Sequence, residues 1–88
     1  MYDSMHTKIS VVADFPGGGK VEIKHFTWEG KKYEVEKTHL ITKAHRGRET
    51  VWLFHISTQN AAFKLRLDTD SLIWYLEELT WDKEVDGE

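Results

Sequence analysis

Three glycines followed by a lysine, Gly17-Gly18-Gly19-Lys20, are the segment closest in composition to a phosphate-binding loop. Consecutive backbone N–H groups beside a lysine ammonium can bind an anion. The loops of nucleotide-binding proteins also need a serine or threonine directly after the lysine, and a helix whose dipole faces the anion. Here Val21-Glu22-Ile23 continues with the alternation of a strand. We therefore interpret the glycines as a flexible hairpin connection.

Histidine imidazoles are the next candidates, because they bind zinc, copper or nickel. The chain contains five of them: His6, His25, His39, His45 and His55. Their spacing matches no compact ligand motif, although His39 and His55 could meet across paired strands with His25 as a third ligand. The absence of cysteine excludes disulfides, thiolate zinc sites, iron–sulfur clusters and cysteine nucleophiles. We predict neither a metal nor another cofactor.

Residues for hydrolytic chemistry also lack the context that it requires. Ser10, Ser57 and Ser71 do not lie in a nucleophile-elbow motif, and no pair of acids lies in an apolar stretch that would raise a pKa. Asp68 and Asp70 have the spacing of a turn. A small sheet with short turns has little room for a substrate pocket of several hundred Å³. We predict that the protein is not an enzyme.

Lysines and aromatic residues alternate around one short hairpin, which contains Lys24, Phe26, Trp28, Lys31, Lys32 and Tyr33. Exposed aromatic rings with cationic neighbours bind single-stranded nucleic acids in small β-barrels. The alternative is that the rings are core residues and that the lysines discourage association between sheet edges. We favour this alternative.

Groups of turn-forming residues separate the apolar runs at intervals of roughly 8 to 15 residues, which is typical of antiparallel strands joined by hairpins. The predicted strands cover residues 7–14, 20–28, 31–43, 50–57, 62–68 and 72–80. We predict an all-β fold, an antiparallel six-stranded meander that is strongly bent or partly closed into a small barrel.

Side-chain alternation then indicates which residues face the core. In the fifth strand Phe63, Leu65 and Leu67 alternate with charged residues. In the second strand a bulge near Lys24-His25 would return Val21, Ile23, Phe26 and Trp28 to one face. The predicted core contains Val21, Ile23, Phe26, Trp28, Tyr33, Val35, Leu53, Phe63, Leu65, Leu67 and Leu76.

Two segments are ambiguous in this alternation. Residues 51–56 are apolar on both parities, and we predict that Leu53 faces the core while Trp52 and Phe54 face outward. Residues 72–79 fit helical spacing as well as a strand, but Trp74 and Tyr75 favour a strand.

Composition and charge indicate one soluble domain over residues 1–88, with residues 81–88 as a frayed acidic tail. The chain has 88 residues, 40% of them hydrophobic, and a net charge of −3. Residues 20–48 contain eight lysines and arginines against four glutamates, whereas residues 68–88 contain eight acids against one lysine. The chain has no signal-peptide pattern and no apolar run of transmembrane length, so we expect a cytoplasmic protein without a membrane partner.

The run Phe26-Thr27-Trp28-Glu29-Gly30-Lys31-Lys32-Tyr33-Glu34-Val35 resembles the opening hairpin of a family of short bacterial domains of unknown function, written F-x-W-x-G-x-x-Y-x-V. Residues 51–56, 63–68 and 73–76 are similar to later strands of that family, so the resemblance covers about residues 20–80. It implies an all-β fold and carries no functional residue. The segment 37–49 and the amino-terminal strand depart from the family pattern.

These observations favour a non-catalytic interaction module that binds a protein partner or a second copy of itself through an aromatic surface or a sheet edge. The candidate binding surface consists of Lys24, Lys31, Lys32, Trp52 and Phe54. Self-association through Trp52 and Phe54 would give a homodimer. The alternative function is a small β-barrel that binds nucleic acid through the basic and aromatic hairpin.

Overall fold

Seven antiparallel strands form the fold in the computed structural model, which describes the backbone of residues 2–81 and the side chains of residues 7–80. The strands are β1 (Tyr2–Gly17), β2 (Lys20–Trp28), β3 (Lys31–Glu34), β4 (Lys37–Arg46), β5 (Glu49–Ser57), β6 (Ala61–Asp68) and β7 (Ile73–Trp81). The predicted all-β class and the bent antiparallel sheet are confirmed. The predicted number of six strands is wrong, because the segment predicted as one strand over residues 31–43 is interrupted at Val35 and Glu36.

The strands belong to one sheet with the order β3-β2-β1-β7-β6-β5-β4. Every neighbouring pair except β1 and β7 is consecutive in the chain, as in a meander. The long β1 serves both halves of the sheet, since residues 2–9 pair with β7 and residues 10–17 pair with β2. The sheet curls into a half-barrel, and β3 and β4 are its two edges.

The bulge predicted in β2 is confirmed. Val12 pairs with His25 and Ala13 pairs with Ile23, so Lys24 is the additional residue on β2. An additional residue reverses the alternation of side chains beyond it. Ile23 and Phe26 consequently both face the core, with 3% and 0% of their surfaces exposed.

The core lies inside the curl of the sheet. Its buried residues are Val21, Ile23, Phe26, Phe54, Ile56, Ala61, Phe63, Leu65, Leu76 and Leu79. The predicted core residues Trp28, Tyr33, Val35 and Leu67 are partly buried and pack against this cluster. The core prediction is therefore confirmed for every named residue except Leu53.

Strand β5 has the opposite orientation to the predicted one. Phe54 lies opposite Leu65, which lies opposite Leu76, and all three side chains are fully buried. Residues that lie directly opposite each other in a sheet face the same side, so Leu53 must face the other side. The prediction failed because both parities of β5 are apolar, and the alternation within that strand carries no information about its orientation.

Strand β7 confirms the choice of a strand over a helix for the last apolar run. Leu65 pairs with Leu76 while Lys64 pairs with Glu78, so Glu77 is an additional residue at a second bulge. This bulge places the buried Leu76 and Leu79 three residues apart, which is the spacing that resembled a helix. The predicted acidic tail lies outside the described residues from position 82 onward.

The turn before β7 is organised by Asp68, as its position between two strands predicted. Its carboxylate Oδ1 accepts hydrogen bonds from the backbone N–H groups of Asp70 and Ser71 at 2.9 and 3.3 Å. Its carbonyl accepts the N–H of Leu72 at 2.8 Å. Leu72 has a φ of 62° and is 71% exposed, so the chain reverses there and Leu72 does not contribute to the core.

Candidate binding site at the open edges of the sheet

The two edges of the half-barrel are tied together at a single crossing of the chain between β3 and β4. The N–H of Val35 donates to the carbonyl of Lys24 on β2 at 3.0 Å. The N–H of the next residue, Glu36, donates to the carbonyl of Ser57 on β5 at 2.8 Å. Within two residues the chain thus changes its backbone hydrogen-bonding partner from β2 to β5.

On one side of this crossing β2 and β4 diverge and enclose a cleft of about 610 Å³, which we call the β2–β4 cleft. It is lined by residues 19–24 of β2 and its turn, and by residues 35–41 of β4 and the crossing. Each of these segments is paired on one side only, residues 20–23 with β1 and β4 with β5. Among residues 2–81, no strand lies between them.

The floor of the β2–β4 cleft is apolar and its rim is charged. Val21 and Ile23 are buried, and Ile41 is partly buried against the core. Leu40 also lines the cleft and is 52% exposed, so the cleft has an uncovered apolar wall. Lys20 at the rim is exposed. A ligand would meet Val21, Ile23 and Ile41 on the core side, and charged groups together with Leu40 on the other side.

The turn that leads into the cleft explains the run of glycines. Gly17, Gly18 and Gly19 have φ values of 104°, 67° and 77°, which other residues rarely adopt. The chain continues directly into β2 at Lys20, so no helix dipole reinforces an anion site there. The glycines allow the chain to reverse direction between β1 and β2.

A second opening lies on the other side of the crossing, between β3 and the turn that joins β5 to β6. It measures about 300 Å³ and is lined by Lys31, Lys32 and Tyr33 on one side and by residues 58–61 on the other. Lys32 forms an ion pair with Glu34 at 3.2 Å. The ammonium of Lys31 lies 5.3 Å from the centroid of the Tyr33 ring.

The five residues of the predicted binding surface do not form one surface. Lys24 lines the β2–β4 cleft, whereas Lys31 and Lys32 line the opening beside β3. Phe54 is fully buried in the core, so its prediction as an outward-facing residue is wrong, for the reason given for β5. Trp52 is partly buried on the same face as Phe54, with its ring 6.4 Å from that of Phe54.

The aromatic residues of the β2–β3 hairpin belong to the core. Phe26 stacks on Tyr33 at 5.2 Å and meets the edge of Phe63 at 4.9 Å. Trp28 lies 6.0 Å from Tyr33 and is partly buried. This packing agrees with the structural interpretation of the hairpin and leaves no fully exposed ring among these residues.

The histidines are distributed over several surroundings. Nε2 of His39 lies 2.9 Å from the hydroxyl of Ser57, and Nδ1 of His45 lies 3.3 Å from that of Thr50. His39 and His55 line a common cavity of about 170 Å³, whereas His25 pairs with Glu34 on β3. The described side chains contain no group of three or more His, Asp or Glu residues that could hold a metal ion.

A buried carboxylate on the outer face of the sheet is the polar feature that the sequence did not reveal. Glu77 is 4% exposed and forms ion pairs with Arg66 at 3.0 Å and with Arg46 at 3.2 Å. The guanidinium of Arg66 lies 4.2 Å from the centroid of the Tyr75 ring. Since Glu77 is the additional residue of the β7 bulge, the only signal in the sequence was the interrupted spacing of leucines around it.

Comparison with known proteins identifies no relative of this chain. The part of the chain that the structure describes contains no helix long and apolar enough to cross a membrane. No protein-family model, no curated protein and no solved structure matches the chain.

Proposed function

We propose that the protein is a non-catalytic interaction module that binds an extended segment of a protein partner as an additional strand in the β2–β4 cleft. The observation that carries this proposal is a pair of strand segments that are each paired on one side only, residues 20–23 of β2 and residues 37–41 of β4, on either side of a cleft of about 610 Å³. The proposal contains no catalytic step and no cofactor. A cytoplasmic location and the resemblance to the bacterial hairpin family stay predictions.

Backbone hydrogen bonding supports this proposal. A strand that is paired on one side only presents a row of unpaired N–H and C=O groups, which an extended peptide can satisfy. Residues 20–24 form a segment of five residues, which corresponds to about 16 Å of strand and ends at the Lys24 carbonyl that Val35 already occupies. The edge of β4 beside the cleft, residues 37–41, has the same length. An incoming strand of about five residues would therefore match the length of both segments.

The apolar floor supports it further. Successive side chains of a strand point to opposite faces, so alternate residues of the incoming strand would point toward Val21, Ile23 and Ile41. These contacts and the covering of Leu40 would remove apolar surface from water. Backbone pairing supplies affinity that does not depend on sequence, and the floor supplies a preference for apolar side chains at every second position.

The contacts of the lysines favour a peptide over a nucleic acid. Lys24 and Lys32 already lie 3.2 Å from Glu22 and Glu34, so their charges are partly compensated within the protein. The rings of the hairpin pack into the core, whereas single-stranded nucleic acids stack on exposed rings. Nucleic-acid binding is therefore the alternative function that the experiments must distinguish from peptide binding.

Hydrogen exchange tests the proposal with a defined probe, an eight-residue peptide of alternating valine and threonine with blocked ends. We expect the peptide to slow exchange of backbone amides within residues 20–24 and 37–41. The same peptide with N-methyl groups on alternate residues should give no protection when the methyl groups lie on an edge that pairs. Protection elsewhere, or protection by either N-methylated version equal to that by the unmethylated peptide, would overturn strand addition.

A further inference from the structure

The strand that forms one wall of the β2–β4 cleft, β4, contains cations and no acid, and Lys37 is the cation in the part that lines the cleft. From Lys37 to Arg48 the chain contains four lysines and arginines, two histidines and no acid. The opposite wall adds Lys20 and Lys24, with Glu22 between them, and Glu36 at the crossing is the second acid that lines the cleft. A strand placed in the cleft would thus lie beside cationic residues on both sides.

Of the three lysines that line the cleft, Lys20, Lys24 and Lys37, two are not engaged by another described residue. Lys43 lies over the ring of Trp52 at 5.0 Å, Arg46 binds Glu77, and Lys24 binds Glu22. By contrast, Lys20 and Lys37 line the cleft and form no ion pair with any residue whose side chain is described. Both are exposed, one on each wall. They are the charges available to an incoming ligand.

We infer that the bound segment alternates acidic and apolar residues, an inference that rests on the proposed strand addition. In an extended peptide the side chains that do not point to the apolar floor point to the rim. Opposite charges on neighbouring strands stabilise their pairing, and like charges weaken it. Glutamate or aspartate at the rim positions would lie beside Lys20 and Lys37, whereas lysine or arginine there would be repelled.

The charges of β4 also favour an acidic segment of a partner over a second copy of the chain. Two copies that associate by their β4 edges would place two strands without acids side by side. The repulsion between them disfavours that contact, as lysines on edge strands do in other sheets. An acidic segment of a partner converts the same charges into attraction.

Three blocked eight-residue peptides test the inference by fluorescence anisotropy: alternating glutamate and valine, alternating lysine and valine, and alternating glutamate and serine. We expect the glutamate–valine peptide to bind at least about tenfold more tightly than the other two. The double variant Lys20→Glu/Lys37→Glu should weaken its binding by about 2- to 30-fold, because each cross-strand pair contributes roughly 1.5- to 5-fold. Lys8→Glu, at an exposed position of β1 that does not line the cleft, should leave binding within about twofold.

The outcomes separate the inference from the function on which it rests. Equal binding of the glutamate–valine and lysine–valine peptides, with protection of residues 20–24 and 37–41, would overturn the acidic preference and retain strand addition. Equal binding of the glutamate–serine peptide would show attraction of polyanions without the apolar floor, and would also overturn the inference. Tighter binding of an eight-nucleotide thymidine strand, with a steep loss at higher salt, would replace both proposals by nucleic-acid binding.

Discussion

The orientation of β5 can be tested by truncating neighbouring residues on its two faces. Phe54 is fully buried, with the ring of Trp74 5.0 Å away and that of Trp52 6.4 Å away. Removing a buried phenylalanine side chain costs the transfer free energy of its atoms and leaves a cavity that its neighbours fill only in part. We expect Phe54→Ala to lower the free energy of unfolding by about 3 to 5 kcal/mol.

The matched variant is Leu53→Ala on the other face of the same strand. Leu53 is only partly buried, between Thr42 and Arg66 on the neighbouring strands. Its truncation opens toward water, so little cavity cost is added, and we expect a loss of about 1 to 2 kcal/mol. The difference between the two variants therefore reports which face of β5 is the core.

Urea denaturation followed by far-ultraviolet circular dichroism measures both losses. With a urea dependence of about 2 kcal/mol per M, the midpoint should fall by roughly 2 M for Phe54→Ala and by about 0.5 to 1 M for Leu53→Ala. If Phe54→Ala does not fold, Phe54→Leu against Leu53→Val makes the same comparison at lower cost. An equal or larger loss at Leu53 would contradict the register of β5 against β6.

Further substitutions test the remaining elements. Glu77→Gln should destabilise the protein by about 3 kcal/mol, because Arg46 and Arg66 lose their buried carboxylate partner. Glu78 is more exposed, so Glu78→Gln should cost less than about 1 kcal/mol in the same urea titration. Leu65→Ala should cost about 2 to 5 kcal/mol and Lys64→Ala less than about 1 kcal/mol, and equal values would show that β6 does not alternate as described. Gly30→Ala meets no neighbouring atom but requires an alanine at a φ of 78°, so calorimetry should show a loss of about 1 kcal/mol; an unchanged melting temperature would show that the turn adopts another conformation.

Where the sequence predicted correctly, the signal was local. The alternation of Phe63, Leu65 and Leu67 with charged residues has one interpretation, since only one face of that strand is apolar. The bulge in β2 was predictable because Ile23 and Phe26 have opposite parity and one face of a sheet cannot bury both without an additional residue.

Where the sequence failed, the missing information lay in another strand. Nothing within β5 distinguishes Leu53 from Phe54, and the choice is made by the pairing of Phe54 with Leu65. The sequence did not predict the candidate site, for a related reason. The crossing at Val35 and Glu36 contains neither glycine nor proline, so no turn signal marks the point where the chain changes from one edge to the other.

The cleft results from the way in which the two edges of this small sheet are connected. A fully closed barrel has no free edge, and an open sheet has two that can aggregate. Here the hydrogen bonds of Val35 and Glu36 tie the edges at one crossing, and the strands separate on either side of it. Lys37 lies in the separated part of β4, so one of the residues that disfavour pairing with an identical edge also lies beside the cleft. Protection against self-association and preference for an acidic strand are therefore two consequences of one charge pattern, and a substitution that neutralises Lys37 should weaken both.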